Sequence, residues 1–245
     1  MRTAHVDPRT VARDIPGLLT EVFPQLTPGI VAHFNDGARP LYVDRVAPDL
    51  LAASRLQRSM LFELGYTVGE HLLLGSQSID WDYCFAEALK RQSVYFDARL
   101  PEQLGQADKV IAETVGRNLW RSLSDWSRAR NELLVVRPRI PGFQWVSSGQ
   151  GDFSLGRTLI EVKNTAKRFS AADYRQVAIY WLLSYASAIE GRGEEWYDFI
   201  LFNARSGEQV SMTYDAFLNV ISSGRTKVEI LQLFQTLVGN RNDQR

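Results

Sequence analysis

The chain has 245 residues, 45% of them hydrophobic and 23% charged, with 28 basic and 28 acidic side chains. This is a globular composition with room for a sizeable core, and its zero net charge argues against a generic polyanion binder. One cysteine, Cys84, excludes an internal disulfide and a cysteine-cluster zinc site. No run of signal-peptide type opens the sequence, and the most apolar run, 177–186, is too short to span a bilayer, so a cytoplasmic protein without membrane contact is expected.

Residues 1–106 are expected to form a mainly helical region of unassigned role. Its helices are a short one near 8–22, one over 48–64 ended by Gly65, and one over 82–94. Residues 107–245 are expected to form an α/β core. It opens with a long amphipathic helix over 107–130, whose apolar positions include Val110, Ile111, Leu119 and Leu123. "LLVVRPRI", "FQWVSS" and "TLIEVK" then read as strands. Ser170 opens a helix with Asp173 three positions on, a variant of the capping box, and Gly191 closes it. "YDFILFNA" and "EQVSMT" form a hairpin across "RSG", and helices over 214–222 and 226–238 end the order.

Charge is unevenly spread. Residues 109–175 carry 12 Lys/Arg against 6 Asp/Glu, whereas both flanks are acidic. A basic field there suits an anionic substrate, and it equally suits solvated arginines along a helix. Inside that segment lies "GDFSLGRTLIEVKNT", residues 151–165. "DFSL-GR-TLIE" reads as a two-residue hairpin with Gly156 at the position where a type II′ turn needs positive φ. Counting back from the turn pairs Leu155 with Thr158, Ser154 with Leu159 and Phe153 with Ile160. Asp152 then lies opposite Glu161. Two like charges in cross-strand register repel, and a divalent cation ligated by both offsets the repulsion. Lys163, two residues beyond Glu161, projects from the same face. Two carboxylates and an ammonium at one sheet edge suit metal-assisted phosphodiester hydrolysis. On the next helix, Gln176 and Tyr180 share a face, four residues apart.

Aspartate, a short gap, E-x-K and then Q-x-x-x-Y on a helix resembles the PD-(D/E)XK nucleases, in their RecB-like branch. The resemblance covers about residues 107–213. It implies a restriction-endonuclease-like core, a central mixed sheet flanked by helices, and a Mg²⁺- or Mn²⁺-dependent deoxyribonuclease. By the resemblance Asp152 and Glu161 are metal ligands, joined by the main-chain carbonyl of Val162. Lys163 positions the attacking water, Gln176 orients that lysine or a phosphate, and Tyr180 contacts DNA or supports the site. Glu113 stands on the preceding helix, where many relatives carry a further acid; its spacing to Arg117 also fits a solvated ion pair. Lys167, Arg168 and Arg175 would hold phosphates. The chain departs from the family in two respects. Gly151, not proline, precedes the aspartate, and one cysteine cannot hold the iron–sulfur cluster of some relatives. No G-x-x-x-x-G-K-[ST] is present, so any motor is a partner protein. A protein partner or a homo-oligomer would supply specificity, in repair, recombination or defence. The same chemistry serves RNA as well as DNA. The alternative reading is a non-catalytic nuclease fold that binds nucleic acid or scaffolds a larger complex.

Overall fold

The computed structural model describes residues 6–243. In the N-terminal part, Pro8–Asp14 (α1), Pro16–Val22 (α2) and Pro28–Asp36 (α3) are followed by a two-residue strand, Arg39–Pro40 (β1). Pro48–Ala53 (α4), Arg58–Leu73 (α5) and Trp81–Gln92 (α6) complete it. The expected helix near 8–22 is broken at Ile15, because the residue before a proline is pushed out of the helical region; Ile15 sits at φ −122°, ψ 52°. The expected end at Gly65 does not occur, and α5 runs through it. A Cβ on Gly65 would stand 3.1 Å from Val115, so the missing side chain allows a close helix–helix approach rather than a stop.

The long helix Gln106–Arg130 (α7) leads into Leu134–Val136 (β2), Arg139–Ile140 (β3), Gly149–Gln150 (β4), Phe153–Leu155 (β5) and Thr158–Lys163 (β6). Ala171–Ile189 (α8) crosses to Asp198–Asn203 (β7) and Glu208–Thr213 (β8), and Tyr214–Ile221 (α9) and Lys227–Asp243 (α10) follow. Two strand expectations change. "LLVVRPRI" is split at Arg137, which takes φ 56° immediately before Pro138. "FQWVSS" is a turn, because Gln144 at φ 52° folds Phe143 back onto Val146 through two 2.9 Å main-chain bonds. The capping box at Ser170 and Asp173 forms as read, and Gly191 takes φ 71° just past the end of α8.

Among the described residues the main sheet has six strands, in the order β1-β8-β7-β6-β5-β2. It is mixed: β2, β5 and β6 form an antiparallel meander, and β7 lies parallel to β6. A parallel neighbour needs a crossover, and α8 supplies it. Helices cover both faces. Leu159, Phe199 and Leu201 enter one core with α8, α9, α10 and α1–α3, whereas Ile160, Val162, Ile200 and Phe202 enter the other with α7 and Tyr66 of α5. The period-2 alternation of β6 therefore sends Leu159 and Glu161 to the α8 face. The protein is thus an α/β structure with a helix-flanked mixed sheet. Its first hundred residues contribute an edge strand and helical packing on both faces of that sheet.

Candidate active site

The hairpin has the register counted from its turn: Phe153 opposes Ile160, Ser154 opposes Leu159 and Leu155 opposes Thr158. Gly156 sits at φ 50°, and Arg157 is not among the positive-φ residues, as a type II′ turn requires. One step beyond the ladder, Asp152 meets β6 through its own atoms. Its amide N–H donates to Glu161 Oε1 at 3.2 Å, and its Oδ2 accepts from the Val162 N–H at 2.9 Å. Its carbonyl is held from the opposite side, by the Tyr66 hydroxyl at 3.1 Å and the Arg137 N–H at 2.9 Å.

Glu161 is fully buried. Its Oε2 accepts from Gln176 Nε2 at 2.6 Å. The same amide donates to the Tyr180 hydroxyl at 3.2 Å, and its Oε1 accepts from Lys163 Nζ at 3.0 Å. Gln176 therefore ties the carboxylate to the lysine, with each end of its amide matched to the only partner type it can serve. Lys163 also pairs with Asp173 at 3.3 Å. Burial, and then the Asp152 charge, push the Glu161 carboxyl up to about 8; Arg9 and Lys163 pull the other way. Burial raises the Tyr180 phenol above its ordinary range as well, so it is present as a neutral hydroxyl.

Arg9 of α1 completes the cluster. Its Nη2 lies 2.6 Å from Asp152 Oδ1, and its Nε donates to the Tyr180 hydroxyl at 2.9 Å. The cleft in front, about 410 Å³, is lined by Arg9, Arg13, Lys163, Lys167 and Arg168 beside the two carboxylates. Arg168 is paired with Asp36 and Glu208. Arg175 lies outside that lining and donates to the Ala12 carbonyl at 2.9 Å. Glu113 stays partly exposed on α7 and pairs with Arg117 at 2.8 Å, the solvated i, i+4 geometry.

Four contributors have no counterpart in the sequence reading: Arg9, Tyr66, Glu70 and Arg137. Glu70 on α5 is buried and accepts from Arg137 Nε at 2.7 Å and Arg91 Nη2 at 2.6 Å. Both guanidinium groups lie over the Tyr66 ring, about 6 Å from its centroid. This layer fixes Arg137, whose left-handed backbone aims its N–H at the Asp152 carbonyl. A signal existed for part of it. Glu63, Tyr66, Thr67 and Glu70 recur at three- and four-residue spacing as a polar stripe on an otherwise apolar helix. Arg9, in "DPRT", carries no such signal.

The donor atoms that converge are all oxygens, from Asp152 and Glu161, with the Val162 main chain beside them. Among the described residues no group of three or more His, Cys, Asp or Glu side chains is arranged to hold a metal ion. No model of a known protein family matches the chain, and no curated protein is significantly similar to it.

Proposed function

We propose that this protein is a metal-dependent nuclease of the PD-(D/E)XK type, with a restriction-endonuclease-like core, that hydrolyses phosphodiester bonds in DNA. The observation that carries the reading is the Gln176 amide joining Glu161 to Lys163, with Asp152 hydrogen-bonded across the hairpin to the same carboxylate. A merely solvated acid–lysine pair on an amphipathic strand has no reason to be buried and cross-linked in this way. The antiparallel meander β2-β5-β6, the α8 crossover and the parallel β7 support the same reading.

The residues fit a hard divalent cation. The two carboxylates are both buried and offer an all-oxygen donor set, which favours Mg²⁺ or Mn²⁺. Asp152, Glu161 and the Val162 carbonyl would hold it. When bound, such an ion neutralises phosphoryl charge and acidifies water. The chain's own groups do the rest. Lys163, held by Gln176, orients the attacking water and meets the negative charge that develops on the phosphoryl oxygens. The water gives up a proton to solvent as its oxygen bonds to phosphorus, one ester P–O bond breaks, and the departing oxygen takes a proton from solvent. Tyr180, buried and neutral, supports Gln176. Lys167 and Arg168 hold flanking phosphates. A protein partner or a second copy of the chain would supply specificity, and no helix among the described residues is long and apolar enough to cross a membrane.

One observation favours the second reading, a nuclease fold that only binds nucleic acid: Arg9 already neutralises Asp152 at 2.6 Å. Cleavage assays separate the two. The purified chain is incubated with linear, circular and single-stranded DNA, and with RNA, under Mg²⁺, Mn²⁺ or chelator, beside Lys163→Ala. Metal-dependent cleavage by the wild type, lowered about 10²–10³-fold in Lys163→Ala, is expected. Cleavage unchanged in that variant defeats the proposal.

A further inference from the structure

Arg9 has no part in that hydrolysis, yet it makes the shortest contact that Asp152 has. It reaches the site from α1, 143 residues earlier in the chain, and spends donors on both Asp152 Oδ1 and the Tyr180 hydroxyl. The remaining carboxylate oxygens have other partners. Asp152 Oδ2 is tied to the Val162 N–H, Glu161 Oε1 to the Asp152 N–H, and Glu161 Oε2 to Gln176. Among the described residues, Oδ1 is held by Arg9, the partner most distant in sequence and the only cation hydrogen-bonded to either carboxylate. The Arg9 side chain keeps 45% of its surface exposed, while its guanidinium end rests on the buried Asp152 and Tyr180. A divalent ion and a guanidinium on one oxygen repel each other, and the ion brings twice the charge to the two carboxylates. Arg9 already lines the cleft with Arg13, Lys163, Lys167 and Arg168, so a freed guanidinium stays beside any anion bound there.

We propose that Arg9 is a displaceable internal cation of the site: it neutralises Asp152 when no metal is bound, and a divalent cation expels it into the cleft, where it contacts the anionic substrate. This rests on Asp152 and Glu161 being a metal-binding pair.

The test uses the full chain with Mn²⁺ as the probe, in wild type, Arg9→Gln, Arg9→Lys and Glu161→Ala. Calorimetry reads Mn²⁺ affinity, and hydrogen exchange reads the segment around Arg9 with and without Mn²⁺. Arg9→Gln is expected to bind Mn²⁺ about tenfold more tightly than wild type, and Glu161→Ala to lose binding. Arg9→Lys falls between wild type and Arg9→Gln, and it stands in should Arg9→Gln fold poorly. Loss of charge alone also tightens Mn²⁺ binding, so hydrogen exchange decides. In wild type, saturating Mn²⁺ makes the amides of residues 9–14 exchange several-fold faster. In Arg9→Gln they exchange fast already and do not respond. Wild-type Mn²⁺ binding with no change in exchange overturns the displacement while leaving the metal site standing. No Mn²⁺ binding in any variant overturns the metal site, and the role of Arg9 with it.

Discussion

Replacing Glu161 by glutamine keeps the shape of the side chain and removes its titration. The carboxyl is fully buried, and burial together with the Asp152 charge lifts it from an ordinary 4.5 to about 8. Between those pH values the native state holds a proton that the unfolded chain has released. Stability then falls as pH rises through the window, because the slope of unfolding free energy with pH follows the difference in bound protons. Each pH unit inside it costs about 1.4 kcal/mol, so going from pH 5 to pH 7 removes about 3 kcal/mol through this one group. The stabilising effect is complete below about 4.5 and gone above about 8. Glu161→Gln lacks that dependence, and titrating groups away from the site cancel in the difference between the two proteins. Urea unfolding at pH 5, 6 and 7, with chelator present, measures it. The gap between variant and wild type should shift in favour of Glu161→Gln by about 3 kcal/mol over the two units. Parallel curves for the two proteins would refute the claim that Glu161 is desolvated beside Asp152.

Three more predictions rest on the packing around the site. Glu70→Ala leaves Arg91 and Arg137 without their shared carboxylate and should cost about 3–5 kcal/mol in chemical denaturation; a loss under about 1 kcal/mol would mean that this network adds nothing. Gly116→Ala puts a Cβ 2.5 Å from Val68 Cγ1 and 3.0 Å from the Gly69 nitrogen, where α5 and α7 touch. Thermal melting should show a net loss of about 1–3 kcal/mol, against the small gain that helix propensity alone would give. Gln176→Leu strips Glu161 and Lys163 of their common partner. It should destabilise the fold by about 1–3 kcal/mol and abolish the cleavage proposed for the wild type, and full activity in this variant would remove Gln176 from the site.

What the sequence could reveal was local. A hairpin register follows from turn geometry and period-2 alternation, so counting back from Gly156 gave the three pairs from Leu155–Thr158 to Phe153–Ile160, and Asp152 reaches Glu161 through its amide one step beyond them. The capping box, the glycine stop and the four-residue spacing of Gln176 and Tyr180 are likewise short-range, and the two side chains do share a face and a hydrogen bond. Local signals misled where tertiary contact overrode them. Gly65 read as a stop because glycine is a poor helix former, yet it is retained within α5 for close approach to α7. "FQWVSS" has strand composition, but a left-handed Gln144 turns it.

Only the tertiary structure decided what surrounds the two carboxylates. Arg9, Tyr66, Glu70 and Arg137 come from α1, α5 and the segment after β2, and nothing in their own sequence neighbourhoods points to β6. They converge because helices from the first hundred residues cover both faces of the sheet: α1 packs beside α8 on one side, α5 against α7 on the other. Asp152 sits at the strand end where those two layers meet. Its charge is met by Arg9 from the α1 side and its carbonyl by Tyr66 from the α5 side. Strand register is set within about ten residues of chain, whereas the burial and charge balance of the site depend on segments more than eighty residues away.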